Sequence, residues 1–208
     1  MPCTPSAENP FHRHPILGWQ IMAGSIFFSV APYHIVSYGT LLGTSFFQSF
    51  INGPVMFKTV ERRVFSAVQA KLFPIYFGMQ TALSLVLALT FPGNTWLGVS
   101  SGISGLSNAS CRWHSLLPIT TMFVTGLLNL VVLYPAASKV MKARRGQAKR
   151  DGKEYHEPGP HSEEMRSLSR KFGVLHGISS LLNLGTFIAA VAYGFTLGSR
   201  LQSVVDRV

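Results

Sequence analysis

Four long stretches of the chain contain no charged residue and are rich in Leu, Ile, Val and Phe. They cover residues 14–57, 72–111, 113–138 and 172–199. A helix that crosses the hydrocarbon core of a bilayer needs about 20 predominantly apolar residues, and it satisfies its own backbone polar groups there. The pattern therefore predicts an all-α fold, a polytopic membrane protein with a four-helix transmembrane bundle. The predicted spans are residues 33–57, 64–91, 115–138 and 172–197.

The N-terminal extension, residues 1–31, is less regular than the predicted spans. Its apolar part, residues 15–31, ends at Pro32 and has three interpretations: a signal peptide, a short fifth span, or a segment at the membrane interface. A proline directly after the candidate cleavage site Ser29-Val30-Ala31 argues against the signal peptide. We favour the interfacial segment.

Three further segments lie outside the predicted spans. Residues 92–111 are rich in Gly, Ser and Asn, which predicts a loop outside the membrane. The third span is expected to continue as helix to about Arg145. The rest of the hydrophilic region 140–170 predicts a mobile basic loop, in which Ser162 is placed to cap the next helix. Residues 198–208 form a short C-terminal tail.

Basic residues are concentrated in the segments between predicted spans. The net charge is +10, yet only 12% of the residues are charged, about half of what a soluble domain carries. Segments 58–63 and 139–171 hold 13 Lys and Arg residues, against 4 on the opposite side of the predicted bundle. By the positive-inside rule both segments face the cytosol, and both termini lie across the membrane. Residence in the endoplasmic reticulum, other secretory endomembranes or the plasma membrane is expected.

The placement of this charge also indicates partners. Basic residues beside predicted spans favour attraction to the anionic head groups of a lipid bilayer over binding of nucleic acid. A second copy of the chain or another membrane protein is a further expected partner. The basic residues expected to contact head groups are Lys139, Lys142, Arg144, Arg145, Lys149 and Arg150.

Each predicted span carries polar side chains on one face, at steps of three or four residues. The members are His34, Tyr38, Ser45, Gln48 and Asn52 in the first span, Gln69, Tyr76 and Gln80 in the second, Thr121, Thr125 and Asn129 in the third, and His176, Ser180 and Asn183 in the fourth. Such residues either form interhelical hydrogen bonds of about 0.6 kcal/mol each, or line a polar path or ligand site. We favour the hydrogen bonds and keep the second hypothesis.

Small residues predict one helix contact. Gly39 and Gly43 form a GxxxG pattern on the first span, opposite its polar face, and Gly185 and Ala189 form a matching pair on the fourth. Small residues allow close packing of helices in a membrane. The first and fourth spans are therefore expected to meet through these four residues.

Signals for an enzyme are weak. The chain has eight acidic residues, none of them within a predicted span, and no HExxH, CxxC, Walker or GxSxG motif. We therefore expect no catalytic site, no metal site and no cofactor. The triplet Asn108-Ala109-Ser110 is a glycosylation sequon in the loop opposite the basic segments, which makes Asn108 a candidate modification site.

Several motifs resemble the transmembrane protein 205 family, in its fungal form. They are residues 50–57 (FINGPVMF), 63–77 (RVFSAVQAKLFPIYF), Asn129 with Tyr134-Pro135, and 172–185 (FGVLHGISSLLNLG). The resemblance covers residues 33–197, and its signature positions include His34, Gln69, Lys71, Tyr76, His176 and Asn183. It implies four spans and residence in a cellular membrane, and the family has no established catalytic activity. The third motif departs most from the family pattern.

Two functions follow as hypotheses from these features. The first is a structural or adaptor membrane protein that acts in membrane organisation or trafficking, with its basic loop in contact with lipids or proteins. The alternative is a transporter or channel subunit for a small solute that uses the intramembrane polar residues. Because four spans are few for a pore, the alternative calls for an oligomer.

Overall fold

The computed structural model describes residues 29–93 and 101–206, in which all regular secondary structure is helical. Helix α1 runs through residues 30–59. It consists of α-helix Val30–Phe46, a π-helical turn Phe47–Asn52 and α-helix Gly53–Thr59. Nearly all of the predicted extension 1–31, with its apolar part, lies outside the described residues.

Four more helices follow α1. Helix α2 is Arg62–Leu89, α3 is the short helix Gly102–Leu106, α4 is Ala109–Asp151, and α5 is Glu163–Val205. Helix α4 begins with a 3-10 turn and contains two π-helical turns, Arg112–Leu116 and Asn129–Leu133. The segment predicted as a loop between the second and third spans therefore contains helical turns in its described part.

The four long helices form an antiparallel bundle. Around the bundle α1 packs on α2, α2 on α4, α4 on α5, and α5 closes the ring against α1. One end of the bundle holds His34, which is hydrogen-bonded to Thr90 and to Tyr193, and is called the His34 end below. The other end carries the basic residues of segments 58–63 and 139–150 and is called the basic end.

Three helices of the described residues are long and apolar enough to cross a membrane: Arg62–Leu89, Ala109–Asp151 and Glu163–Gln202. Their outer surface is apolar, with Phe195 exposed by 78% and Leu181 by 69%. These features indicate a membrane protein. Helix α1 is not among the three, because its polar residues lower its mean hydropathy, so the predicted count of four spans is not confirmed.

The hydrophobic core lies toward the His34 end. It joins side chains of all four long helices and of α3, including Leu41, Leu87, Leu106, Ile119, Met122 and Tyr193. Close packing there leaves these side chains almost without solvent contact. The bundle is therefore sealed at the His34 end.

The region 140–170 differs from the predicted mobile loop. Helix α4 continues to Asp151 and ends at Gly152, which adopts a left-handed conformation with a φ of 62°. The predicted cap at Ser162 is confirmed, because its hydroxyl accepts a hydrogen bond from the backbone N–H of Met165 at 3.2 Å. Most of the basic residues of this region are thus presented by a helix.

The predicted contact through small residues is wrong for three of its four members. Gly39 and Gly43 lie on the exposed side of α1, and a Cβ atom at either, or at Gly185, would meet nothing within 4 Å. The reason is that the opposite, polar face of α1 has hydrogen-bond partners inside the bundle and turns inward. Ala189 is buried in the core beside Leu41, so α1 and α5 do meet, through other residues.

Candidate functional site: a cavity with a basic rim

A hydrogen-bonded cluster around Asn183 occupies the centre of the bundle. The Tyr76 hydroxyl and the Gln80 amide both donate to Asn183 Oδ1, at 2.5 and 3.2 Å. Asn183 Nδ2 donates to Ser49 Oγ at 2.6 Å. Three helices are joined here, α1, α2 and α5, so the predicted polar faces of the first, second and fourth spans come together.

A second cluster lies closer to the basic end. Asn52 Nδ2 donates to Gln48 Oε1 at 2.8 Å, and Gln48 Nε2 donates to Gln69 Oε1 at 3.1 Å. Gln69 is buried, whereas Gln48 and Asn52 are half-buried. This chain of amides connects α1 to α2 and leaves part of Gln48 facing the interior of the bundle.

The polar face of α4 pairs with α5. Asn129 is fully buried, and its Oδ1 accepts a hydrogen bond from Ser179 Oγ at 2.7 Å. The hydroxyl oxygens of Thr125 and Thr186 lie 2.6 Å apart. Thr121 donates to the Leu117 carbonyl of its own helix at 2.8 Å.

His34 is fully buried at the His34 end and is hydrogen-bonded through both ring nitrogens. Nδ1 lies 3.1 Å from Thr90 Oγ1, and Nε2 lies 2.7 Å from the Tyr193 hydroxyl. Because the Thr90 hydroxyl donates to the Val86 carbonyl, it accepts from His34, which places the imidazole proton on Nδ1. The histidine is thus a structural link between α1, α2 and α5.

Arg200 of α5 contacts residues of α4 and of the segment after α2 at the His34 end. Its Nη2 donates to Ser115 Oγ at 3.2 Å, and its guanidinium carbon lies 4.7 Å from the centre of the Phe91 ring. Leu41, Leu87 and Phe91, which belong to the hydrophobic core at this end, are fully buried.

A cavity of about 1280 Å³ occupies the basic half of the bundle. Ser49, Gln69 and Asn183 form its polar floor. Its walls are largely aromatic and include Phe50, Phe57, Phe73, Phe77, Phe172 and Phe187. The volume exceeds the roughly 300–1,000 Å³ of ordinary small-molecule pockets.

The rim of this cavity is positively charged. Among residues 29–93 and 101–206, six basic side chains and no acidic one line it; the six are Lys58, Arg62, Lys139, Lys142, Arg144 and Arg145. His176 also lines the cavity, where its ring stacks on Phe172 with centroids 5.8 Å apart. A cavity with this lining can hold a molecule that has an apolar body and a polar or anionic end.

One of the predicted head-group residues lies elsewhere than expected. Lys139, Lys142, Arg145, Lys149 and Arg150 are exposed, but Arg144 is only 6% exposed and points into the cavity. The cause is the periodicity of α4: consecutive basic residues point in different directions around a helix, and Arg144 lies on the side that faces the bundle. The predicted lipid-facing position of Arg144 is therefore wrong.

Several residues of the site were absent from the sequence prediction. Thr186 and Tyr193 continue the face of Asn183 along α5 at steps of three and seven residues, and that spacing is the signal that could have identified them. Ser49 carries a comparable signal, because it lies four residues after Ser45 and three before Asn52. Ser179 likewise lies three residues after His176 and four before Asn183. Tyr155 reaches the cavity from a connecting segment, where no periodicity applies.

Two predictions about chemistry lie outside the cavity. Asn108 is exposed beside the start of α4, and its side chain accepts a hydrogen bond from the Ser110 backbone at 3.2 Å. Its glycosylation stays a prediction. Within residues 29–93 and 101–206, no three His, Cys, Asp or Glu side chains are grouped closely enough to hold a metal ion.

Two comparisons with known proteins show similarity. Residues 36–146, more than half of the chain, match the family model described as domain of unknown function DUF4149. The chain is also 32% identical over 173 residues to xanthocillin biosynthesis cluster protein D of Aspergillus fumigatus, an alignment that covers 83% of this chain and 92% of that protein. No solved structure matches the chain significantly.

Proposed function

Since the chain belongs to the DUF4149 family, whose description assigns no activity, we propose its function from its cavity. The proposal is that the protein binds a small amphiphilic molecule in the basic half of its bundle and serves as a membrane carrier or as the binding subunit of a transporter. One observation carries it: the cavity of about 1280 Å³ combines aromatic walls, a polar floor and a basic rim. This proposal develops the alternative hypothesis of a small-solute transporter.

The proposal includes α1 as a fourth span. At about 1.5 Å per residue, a helix over residues 30–59 is roughly 45 Å long, enough to cross a bilayer. Its inward face carries the polar residues, whereas Val36, Phe46 and Phe47 are exposed on its outer face. A multi-pass protein of secretory endomembranes or the plasma membrane is the corresponding proposal, as is membership of the transmembrane protein 205 family.

The similarity to the Aspergillus relative supports a role that involves a small molecule. That protein is named for the biosynthesis cluster of xanthocillin. A membrane protein that works beside a biosynthetic pathway has precursors or products of that pathway as candidate ligands. The cavity is the place in this chain where such a ligand would be held.

A structural or adaptor role is a second candidate, supported by a different surface. Lys139, Lys142, Lys149 and Arg150 are exposed on the part of α4 that carries the basic run. Each such residue near a membrane surface contributes about 1 kcal/mol of attraction to anionic lipids. This surface would attract anionic head groups or acidic proteins whether or not the cavity is occupied.

Photolabelling in proteoliposomes tests the binding proposal. The probe is a long-chain alcohol that carries a diazirine, and labelled positions are mapped by mass spectrometry. We expect labelling of cavity-lining residues within 172–187 that is saturable and that excess unlabelled alcohol suppresses. Non-saturable labelling, confined to lipid-facing residues such as Leu181, would contradict the proposal.

A matched pair of variants on α4 supplies the control. Ala137 lines the cavity, and Ala143 is exposed away from it. Ala137→Trp fills the cavity and is expected to abolish most of the saturable labelling, while Ala143→Trp leaves it unchanged. Equal labelling of the two variants would argue against the cavity as the binding site.

A further inference from the structure

Arg144 is a buried cation at the rim of the cavity. Its guanidinium carbon lies 3.9 Å from the centre of the Tyr155 ring and 5.0 Å from that of Phe172. The side chain is only 6% exposed, so the two rings and the walls of the cavity separate it from solvent. Arginine keeps its charge in proteins, and the aromatic faces offer it only a partial substitute for hydration.

The donors of Arg144 are poorly satisfied. Its Nε has no hydrogen-bond partner, and its Nη1 reaches only the Met141 thioether, a weak acceptor, at 3.5 Å. Among residues 29–93 and 101–206, no carboxylate forms an ion pair with it. A buried charge ordinarily has a counter-charge, because the loss of hydration is otherwise not compensated.

Two acidic side chains of this end, Glu154 and Asp151, are engaged elsewhere. Glu154 pairs with Arg63 at 2.7 Å. Asp151 accepts hydrogen bonds from Gln147 and Ser162, at 2.8 and 2.6 Å. Because no acidic side chain lines the cavity, the counter-charge for Arg144 is not supplied from its lining.

We propose that Arg144 binds the anionic head of a single-chain amphiphile, a carboxylate or a phosphate monoester, whose chain lies along Phe73, Phe77 and Phe187. The planar guanidinium presents paired N–H groups that match the oxygens of either head. The aromatic walls that receive the chain extend from the rim toward the polar floor at Asn183. This inference rests on the proposed function and specifies the ligand of the same cavity.

Competition for the saturable photolabelling tests the inference in proteoliposomes of phosphatidylcholine. The competitors are oleate, oleoyl lysophosphatidate and the neutral oleamide, which share one chain and differ in the head. We expect the anions to compete at about ten- to a hundredfold lower concentration than oleamide, from the usual strength of a charged hydrogen bond. Preference for one anion over the other identifies the head group. Equal competition by all three would overturn the inference and leave the proposed function standing.

Substitutions of Arg144 test whether its charge causes the preference for anions, and a substitution of Lys149 is the control. Arg144→Gln should remove the preference for anions and leave competition by oleamide unchanged, which also shows that the cavity is intact. Lys149→Gln removes the same charge from an exposed position of α4 and should keep the preference. If Arg144→Gln does not fold, Arg144→Lys is used, and it should retain competition by oleamide with a reduced preference for anions.

Four outcomes contradict these expectations. An anion preference that survives in Arg144→Gln, or one that Lys149→Gln reduces equally, would overturn the assignment to Arg144. A full wild-type preference in Arg144→Lys, when only that variant folds, would overturn recognition by the planar guanidinium. Absence of saturable labelling in the wild type would instead refute the proposed function, and this inference with it.

Discussion

At the scale of single residues, Tyr134 satisfies a backbone group that Pro74 leaves unpaired. Proline has no N–H, so the carbonyl of Ala70, four residues earlier in α2, lacks its normal intrahelical partner. The Tyr134 hydroxyl donates to that carbonyl at 2.8 Å from α4. A local defect of α2 thus becomes a contact between two helices.

This pairing predicts a non-additive effect of two substitutions. Tyr134→Phe should lower the free energy of unfolding by about 0.5–1.5 kcal/mol, because the Ala70 carbonyl loses its donor. In a Pro74→Ala background the helix supplies its own N–H, so the same substitution should cost much less. Thermal or denaturant unfolding in detergent measures both. Equal costs in the two backgrounds would show that the hydrogen bond contributes nothing to stability.

The close contact between α1 and α5 also depends on one residue. A Cβ atom at Gly194 would collide with the Tyr38 hydroxyl, which donates to the Ala190 carbonyl at 3.2 Å. Gly194→Ala should therefore destabilise the protein by about 1–3 kcal/mol, the usual cost of overpacking. Gly43→Leu should be nearly silent, since nothing lies within 4 Å of its Cβ position.

Melting temperatures in one detergent check this prediction, and Tyr38→Phe provides the control. Removing the hydroxyl removes the closest clash, so Gly194→Ala should cost less in that background. A Gly43→Leu protein less stable than Gly194→Ala would instead support packing through the GxxxG pattern.

The sequence predicted which residues of α1 turn inward but not which glycine matters. On α1, His34 and Gln48 share one helical face, and polar groups in lipid need partners, so their inward orientation follows from the local pattern. A GxxxG pattern indicates only that another helix can approach closely at that position. The importance of Gly194 was not visible in the sequence, because it depends on the position of the Tyr38 side chain in the folded protein.

At the scale of helices, each of the three π-helical turns in the described residues ends two residues before a proline. Gly53, Leu117 and Tyr134 each donate a backbone hydrogen bond to the carbonyl five residues earlier, and Pro54, Pro118 and Pro135 follow them. A wider turn moves the preceding carbonyl away from the proline ring, where an α-turn would clash. Two of these turns supply cavity residues, including Ser49 and Leu133, so proline placement helps to shape the site.

The start of α5 depends on Ser162, which is both a cap and a link to α4. Its hydroxyl accepts from the Met165 N–H and donates to Asp151 at 2.6 Å. Ser162→Ala should cost about 1 kcal/mol. Ser162→Asp, normally an equal cap, should also destabilise, because its carboxylate would face that of Asp151.

Hydrogen exchange of the amides of residues 163–166 measures this prediction. Faster exchange is expected in both variants, and Ser167→Ala, at an exposed position of the same helix, should leave it unchanged. Restored protection in a Ser162→Asp, Asp151→Asn double variant would confirm the electrostatic cause. Unchanged protection in Ser162→Ala would contradict the capping role.

At the scale of the whole molecule, the two ends of the bundle differ in construction. The His34 end is sealed by buried side chains and by hydrogen bonds from His34 and Arg200, whereas the basic end encloses a cavity. Hydrophobic pattern and charge predicted helices and the position of the basic residues. The cavity was not predictable, because it depends on how far the four helices diverge at the basic end. The inward direction of the Arg144 side chain was not predictable either, because it depends on the rotation of α4 about its own axis there.

The orientation of the bundle in the membrane is the remaining prediction. The basic end should face the cytosol, because 13 Lys and Arg residues in segments 58–63 and 139–171 bias insertion against 4 on the other side. Single cysteines at Glu157 and Ser107, both exposed, report the two sides in a background without the native cysteines. An impermeant reagent applied to the cytosolic side should label position 157 and not 107. The reverse pattern would invert the bundle and would make the cavity open away from the cytosolic leaflet.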